Sequence, residues 1–191
     1  KDALASVPAL AFGYHLPDQE SADFAPMVLL NLVLQGDEGS RFYQRLVKDK
    51  AVSIDWNGGI NFELGNEFDY DGPMLLSART LYKPGHTADE ILKEIDAITK
   101  EIAEKGVTAK ELADAKVRFR ANWYDQLETS FGRANLLASF ALFHDEPARI
   151  NKVLEMYESV TAAQLQAAAK KYLVPQNRTS IDRVPAAEVT K

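Results

Sequence analysis

The sequence predicts an α+β fold: a two-layer sandwich with a mostly antiparallel sheet and helices packed on one of its faces. Three observations carry this. Segments with period-two alternation stand at both ends of the chain and between residues 52 and 81. Segments of helical period are grouped between residues 87 and 172. No linker, repeat or low-complexity stretch divides the chain, so residues 1–191 are expected to form one domain, with length enough for one sizeable core.

Leu10, Phe12, Tyr14 and Leu16 alternate with Ala9, Ala11, Gly13 and His15, the pattern of a strand with one large and one small face. Pro17 and Asp18 end it. Ser21 is the expected cap of a helix whose apolar face runs through Met27, Leu30 and Leu34. Gly36 and Gly39 punctuate, and a short basic helix carries Phe42 and Leu46. It passes without an obvious loop into a strand, in the stretch SRFYQRLVKDKAVSIDWNGG (residues 40–59). There Val52, Ile54 and Trp56 alternate with Ser53, Asp55 and Asn57, and Ile60, Phe62 and Leu64 resume beyond two glycines. One long strand with a bulge or bend at Gly58-Gly59 is expected. Asn66 to Gly72 reads as a turn and Met74 to Leu81 as the hairpin partner.

Thr87 with Glu90 and Thr108 with Glu111 are capping boxes. The first opens a helix through Ile91, Ile95, Ile98 and Ile102, closed by Gly106. The second opens one lined by Leu112, Ala115, Phe119, Trp123 and Leu127. The aromatic series Phe119, Trp123 and Tyr124 is most simply core. Further helices are expected over residues 131–144 and 150–157, and one opened by Thr161 with Gln164. Asn177 to Val184 is a closing strand, ended by Pro185.

An apolar share of 46% and a charged share of 26% are those of an ordinary globular domain. A net charge of -6 argues against nucleic acid as a partner, because phosphate neutralisation needs a basic surface. No apolar run approaches the ~20 residues of a membrane span. The absence of cysteine excludes thiolate chemistry and suits a periplasm as well as a cytosol. His15, His86 and His144 lie far apart, and none has a second histidine at a ligand spacing. His144 precedes Asp145 and Glu146, but a lone histidine at a helix end ordinarily satisfies the last carbonyls. Ser40 lacks the following glycine of a nucleophile elbow. Asp89-Glu90 and Glu111 with Asp114 fall in first helical turns, where the macrodipole explains them.

Several short motifs, weak singly, stand in a specific order. They are Tyr-His-x-Pro at Tyr14 to Pro17 and a helix from Asp23 to Leu34, then Gly39-Ser40-Arg41-Phe42-Tyr43 followed by Gln44-Arg45-Leu46. After them come Gly106-Val107-Thr108 with Glu111-Leu112 and Ala115-Lys116, and a close from Val160-Thr161-Ala162 through Tyr172-Leu173 to Asn177-Arg178-Thr179. From Val7 to Pro185 this resembles the non-catalytic, C-terminal domain of the pitrilysin or insulinase family of zinc metallopeptidases, which includes the mitochondrial processing peptidases. The resemblance implies a role by pairing. One half of such a protein carries H-x-x-E-H and the zinc. The other half closes the chamber over an extended peptide.

This sequence has no H-x-x-E-H, so the resemblance implies no catalytic residue, no metal ligand and no cofactor in this chain. It implies zinc in a partner half, on the same or another chain, and a domain cut from a longer metalloendopeptidase. A non-enzymatic scaffold of the same fold is the alternative. An exported, periplasmic parent is expected, a cytoplasmic one being the alternative. Many relatives carry an Arg and a Tyr seven residues apart near the zinc. Here Val47 and Ile54 take those positions, and Lys48 is ~100° away on a helix. The joint around Arg41 and Arg45 is therefore expected to be scaffold. The expected peptide-binding positions are Ser53, Asp55 and Asn57 with Gly58 and Gly59, whose bare backbone admits close approach. Ser53, Asp55, Asn57 and Asn61 are expected to point outward.

Overall fold

The computed structural model describes residues 1–65 and 67–186. Asn66, first residue of the turn expected before Gly72, lies outside the described residues, as does the segment 187–191. In chain order the elements are β1 (Ala9–His15), α1 (Phe24–Gln35), a π-wound turn (Tyr43–Asp49), β2 (Asn57–Ile60) and β3 (Leu75–Leu81). The helices α2 (Ala88–Lys105), α3 (Ala109–Glu128), α4 (Ser130–His144), α5 (Val153–Glu158) and α6 (Ala162–Tyr172) follow, and β4 (Arg178–Arg183) closes the chain. Among the described residues the strands form one antiparallel sheet in the order β2-β3-β1-β4. The fold class is α+β.

Alternation sorts the two faces. Leu10, Phe12 and Tyr14 of β1 and Leu76, Ala78 and Thr80 of β3 are buried towards the helices. Ala9, Ala11 and Gly13 point the other way, paired in register with Leu81, Arg79 and Ser77. Ten residues of α1 are buried, because it lies between the sheet and α3, α5 and α6. Capping boxes open α2, α3 and α6 with Thr87–Glu90, Thr108–Glu111 and Thr161–Gln164. Each satisfies N–H groups that a helix start leaves orphaned. Ser21 does not cap α1. Its Oγ accepts the Asp23 N–H at 3.2 Å in the turn before the helix, which starts at Phe24. The Asp23 carboxylate faces α6 instead, accepting from Lys171 Nζ at 2.7 Å and Tyr172 Oη at 2.9 Å, which holds its pKa below the ordinary value.

Two polar ties lock β4 to the rest. The nearly buried Arg178 guanidinium donates to Asp96 Oδ1 on α2 at 2.5 Å and to Tyr14 Oη at 2.9 Å. The buried Tyr82 hydroxyl donates to Asp182 Oδ1 at 2.7 Å; burial, then that acceptor, pushes its pKa up to about 12. The aromatic expectation holds in part. Phe119 and Trp123 are core, but Tyr124 is 55% exposed, one residue and so ~100° round the helix from Trp123.

The expected long strand from Val52 to Leu64 is broken up. Ser53 bridges to Tyr82, and Asn57 pairs with Arg79. Three residues on one strand thus span two on the other, which places a bulge at Asp55-Trp56 and not at the glycines. Asp55 explains the position. Its side chain accepts the Leu81 N–H at 2.7 Å, and its carbonyl accepts from Thr80 Oγ1 at 2.7 Å, replacing the missing ladder bonds. Gly58 and Gly59 pair in regular register with Ala78 and Ser77. After Ile60 the chain turns, with left-handed φ of 48° at Asn61 and 65° at Glu63.

Candidate functional site

No described element covers the outer face of the sheet. Small residues Ala11, Gly13 and Ser77 floor a trough of about 340 Å³ there, and Phe62, Leu75 and Ile181 wall it. A second hollow of about 270 Å³ continues it past Ala11, Arg79 and Ile181 to Ala9 and Arg183. Arg79 lies 5.9 Å over the Phe62 ring and 3.2 Å from Glu63 Oε1. His15 is exposed on the same face, beside the trough.

The edge of this sheet at β2 is also free among the described residues. The Asn61 N–H bonds Leu75 O at 2.7 Å, so by antiparallel alternation Asn57 and Gly59 turn their backbone groups to β3. Gly58 and Ile60 turn theirs to the open edge.

The five expected peptide-binding positions therefore divide. Asn57 and Gly59 face outward, and nothing lies within 4 Å of a Cβ built on Gly59. Gly58 faces the helices. A Cβ there would stand 2.4 Å from Gln35 Oε1 and 2.7 Å from Ala78 Cβ. Gln35 is held in place by the Trp56 indole N–H at 3.3 Å and by its own bonds to Asn31 Oδ1 and Ser77 O. Asp55 is occupied in the bulge and also takes Asn57 Nδ2 at 3.1 Å. Ser53 and Asn61 do not point outward as expected: they are 2% and 3% exposed. The bulge shifts the alternation by one, which turns Ser53 inward beside Tyr82 with its Oγ lacking a partner among the described residues. The same shift puts Ile54 on the outer face, 48% exposed. The bulge was the missed signal, and an aspartate three residues before paired glycines was its sequence mark.

The arginines of the basic joint are tied to neighbouring helices. Arg41 forms a fork on Glu111, with 2.7 and 3.0 Å bonds, and this holds the Glu111 carboxyl down at about 2. Arg45 and Lys50 both reach Glu94 of α2, at 3.1 and 3.4 Å. The missing loop is supplied by winding: Lys50 N–H bonds Arg45 O, Val52 and Ser53 N–H both bond Leu46 O, and Ala51 takes a left-handed φ of 51°.

His144 does not cap its own helix. Its Nδ1 lies 2.8 Å from Glu20 Oε1 and its Nε2 lies 3.0 Å from Gln19 Oε1, clasping the segment after β1. Arg149 donates to the same Glu20 and, as the largest cause, lowers its pKa. Among the described residues no three His, Asp or Glu are placed to hold a metal ion. These residues do not fit a zinc site.

The sequence profile described as the peptidase M16 inactive domain matches residues 1–119. No curated protein matches the sequence significantly. Among solved structures, the chain is similar to the inactive peptidase domain of a Bordetella parapertussis protein described as a zinc protease, at 22% identity and TM-score 0.81, covering 98% of this chain and 95% of that one. It is similar to a Helicobacter pylori protease at 20% identity and TM-score 0.80, covering 95% of this chain. It is also similar to the periplasmic protease PqqL of Escherichia coli at 14% identity and TM-score 0.71, covering 96% of this chain and 20% of that one. These likenesses show a shared fold, and the chain spans 42% of the Helicobacter protease. With the profile matched over more than half its length, the chain belongs to the peptidase M16 inactive-domain family.

Proposed function

We propose that this domain closes a proteolytic chamber opposite a zinc-bearing half, receiving extended peptide on its bare sheet face and along the free edge of β2. The carrying observation is that face: small residues floor it, and Gly59 leaves it open beside an unpaired strand edge. Extended peptides add to such edges through backbone bonds. Zinc belongs to the other half in this reading, and this chain's residues take no part in holding it.

A second surface supports pairing. Phe131, Ala134, Leu137, Ala138, Ala141 and Leu142 form an exposed apolar stripe along α4, with helical spacing. Contiguous exposed apolar surface of this kind marks protein contacts. An exported parent is part of the proposal, supported by the likeness to a periplasmic protease; a purely cytosolic pool on cell fractionation would count against it.

The test is Gly59→Val in the parent protein assembled with its zinc half. Peptide kcat/KM should fall severalfold, with Tm unchanged or slightly raised. Unaltered turnover would remove the peptide-binding reading. A parent lacking H-x-x-E-H in every domain would remove proteolysis and leave a scaffold.

A further inference from the structure

The trough differs from the strand edge in what it can recognise. A strand edge reads backbone, which every peptide has. The trough offers shape and charge. Its larger part, over Gly13 and Ser77, is walled by Phe62, Leu75 and Ile181 and suits a large apolar group. Its continuation runs towards Ala9 between two arginines, Arg79 on β3 and Arg183 on β4.

Neither guanidinium is fully engaged. Arg183 has Asp2 Oδ2 at 3.8 Å, beyond hydrogen-bond reach. Arg79 pairs with Glu63 Oε1 at 3.2 Å, where both side chains are more than half exposed. Exposed pairs of this kind contribute little and exchange readily. Each arginine has five donors in a planar fork. A ligand carboxylate laid on the sheet could take two of them, shielded from water by the ligand itself.

The spacing of the two parts is that of a strand. Gly13 and Ala9 to Ala11 are two to four residues apart on β1, so the apolar hollow and the arginine pair are roughly 7 to 13 Å apart at ~3.3 Å per residue. Residues i and i+2 of an extended peptide point to the same side about 7 Å apart. We propose that the trough is a side-chain subsite that takes a bulky apolar residue of an extended peptide together with an acidic residue two positions away, held between Arg79 and Arg183. This rests on the reading that the sheet face receives peptide, and it names the class of peptide.

Blocked pentapeptides titrated into the isotopically labelled 191-residue chain test it by amide chemical shifts. The probe is acetyl-Ala-Phe-Ala-Glu-Ala-amide. It should shift the amides of Gly13, Ser77 and Thr179. Replacing its Phe by Ala should weaken binding by about tenfold or more, as loss of a buried aromatic group does. Replacing its Glu by Gln should weaken it severalfold, and Arg183→Gln should shrink that difference while leaving the spectrum otherwise folded. Equal binding of all three peptides with shifts confined to Gly58 to Ile60 would overturn the subsite and leave the edge reading intact. If no peptide shifts any amide of the sheet, both fall.

Discussion

Glu111 illustrates how much one side chain can hold. It caps α3 through the Thr108 N–H and Oγ1, and it receives the Arg41 fork from the basic turn. The Arg41 bond, foremost, lowers its pKa from 4.5 to about 2. A depressed carboxyl contributes stability that is present above its unfolded pKa and is lost as pH falls through the folded one. The loss therefore runs from about pH 4.5 down towards 2. Glu111→Gln keeps a capping side chain but removes this titration. Its stability, followed by urea denaturation, should fall less steeply over that window than that of the native chain; identical slopes would show that the pair contributes nothing. Ser53 carries the opposite kind of prediction. Its buried Oγ has no partner among the described residues, and such a group costs about 1–3 kcal/mol. Ser53→Ala should raise the unfolding free energy by about 1 kcal/mol, read as a higher urea midpoint at unchanged slope. A drop of that size would show that the hydroxyl is bonded in solution.

β2 is a strand of four residues in which adjacent glycines have different tasks. Gly58 leaves room for Gln35, whose carbonyl oxygen would otherwise lie 2.4 Å from a Cβ. Gly58→Val should cost about 3 kcal/mol by overpacking and by displacing Gln35 from the Trp56 indole. Gly59→Val adds its side chain to open space, and strand propensity favours valine there, so thermal unfolding should show no loss. Equal destabilisation by the two would contradict the register of this strand. Loss of turnover in Gly58→Val says nothing about peptide binding, because the fold is damaged too. The Gly59 variant separates the two effects.

The pairing proposed for the α4 stripe is tested in the assembled protein. Leu142 is 76% exposed. Leu142→Glu should leave the Tm of this chain unchanged and weaken its co-purification with the zinc half. Unaltered association would assign the stripe to something else. Metal analysis of the purified chain should show well under one zinc per molecule, since His144 is committed to Gln19 and Glu20. A firmly bound equivalent lost on His144→Ala would overturn this.

The helix starts marked by capping boxes, the helix faces, the two faces of β1 and the family were legible in the residues. Each of these depends on local patterns: three capping boxes, isoleucines at one helical spacing, large residues alternating with small ones. Ser21 was misjudged because a turn and a cap use the same hydroxyl chemistry, and only the nearness of α6 gives Asp23 its partners. The segment from Ser53 to Gly59 was singled out by its residues, but its side-chain directions were misread. Period-two reading assumes an unbroken ladder, and one extra residue at Asp55-Trp56 inverts every side chain on one side of it. That residue is accommodated because Thr80 and Leu81, some 25 residues away, find hydrogen bonds on Asp55. The trough is further still from sequence reach. Ala11, Ser77, Phe62 and Ile181 come from separate segments, and antiparallel pairing of β1 with both β3 and β4 brings them to one face. Local pattern determines which residues turn inward, while long-range register determines which of the outward ones become neighbours.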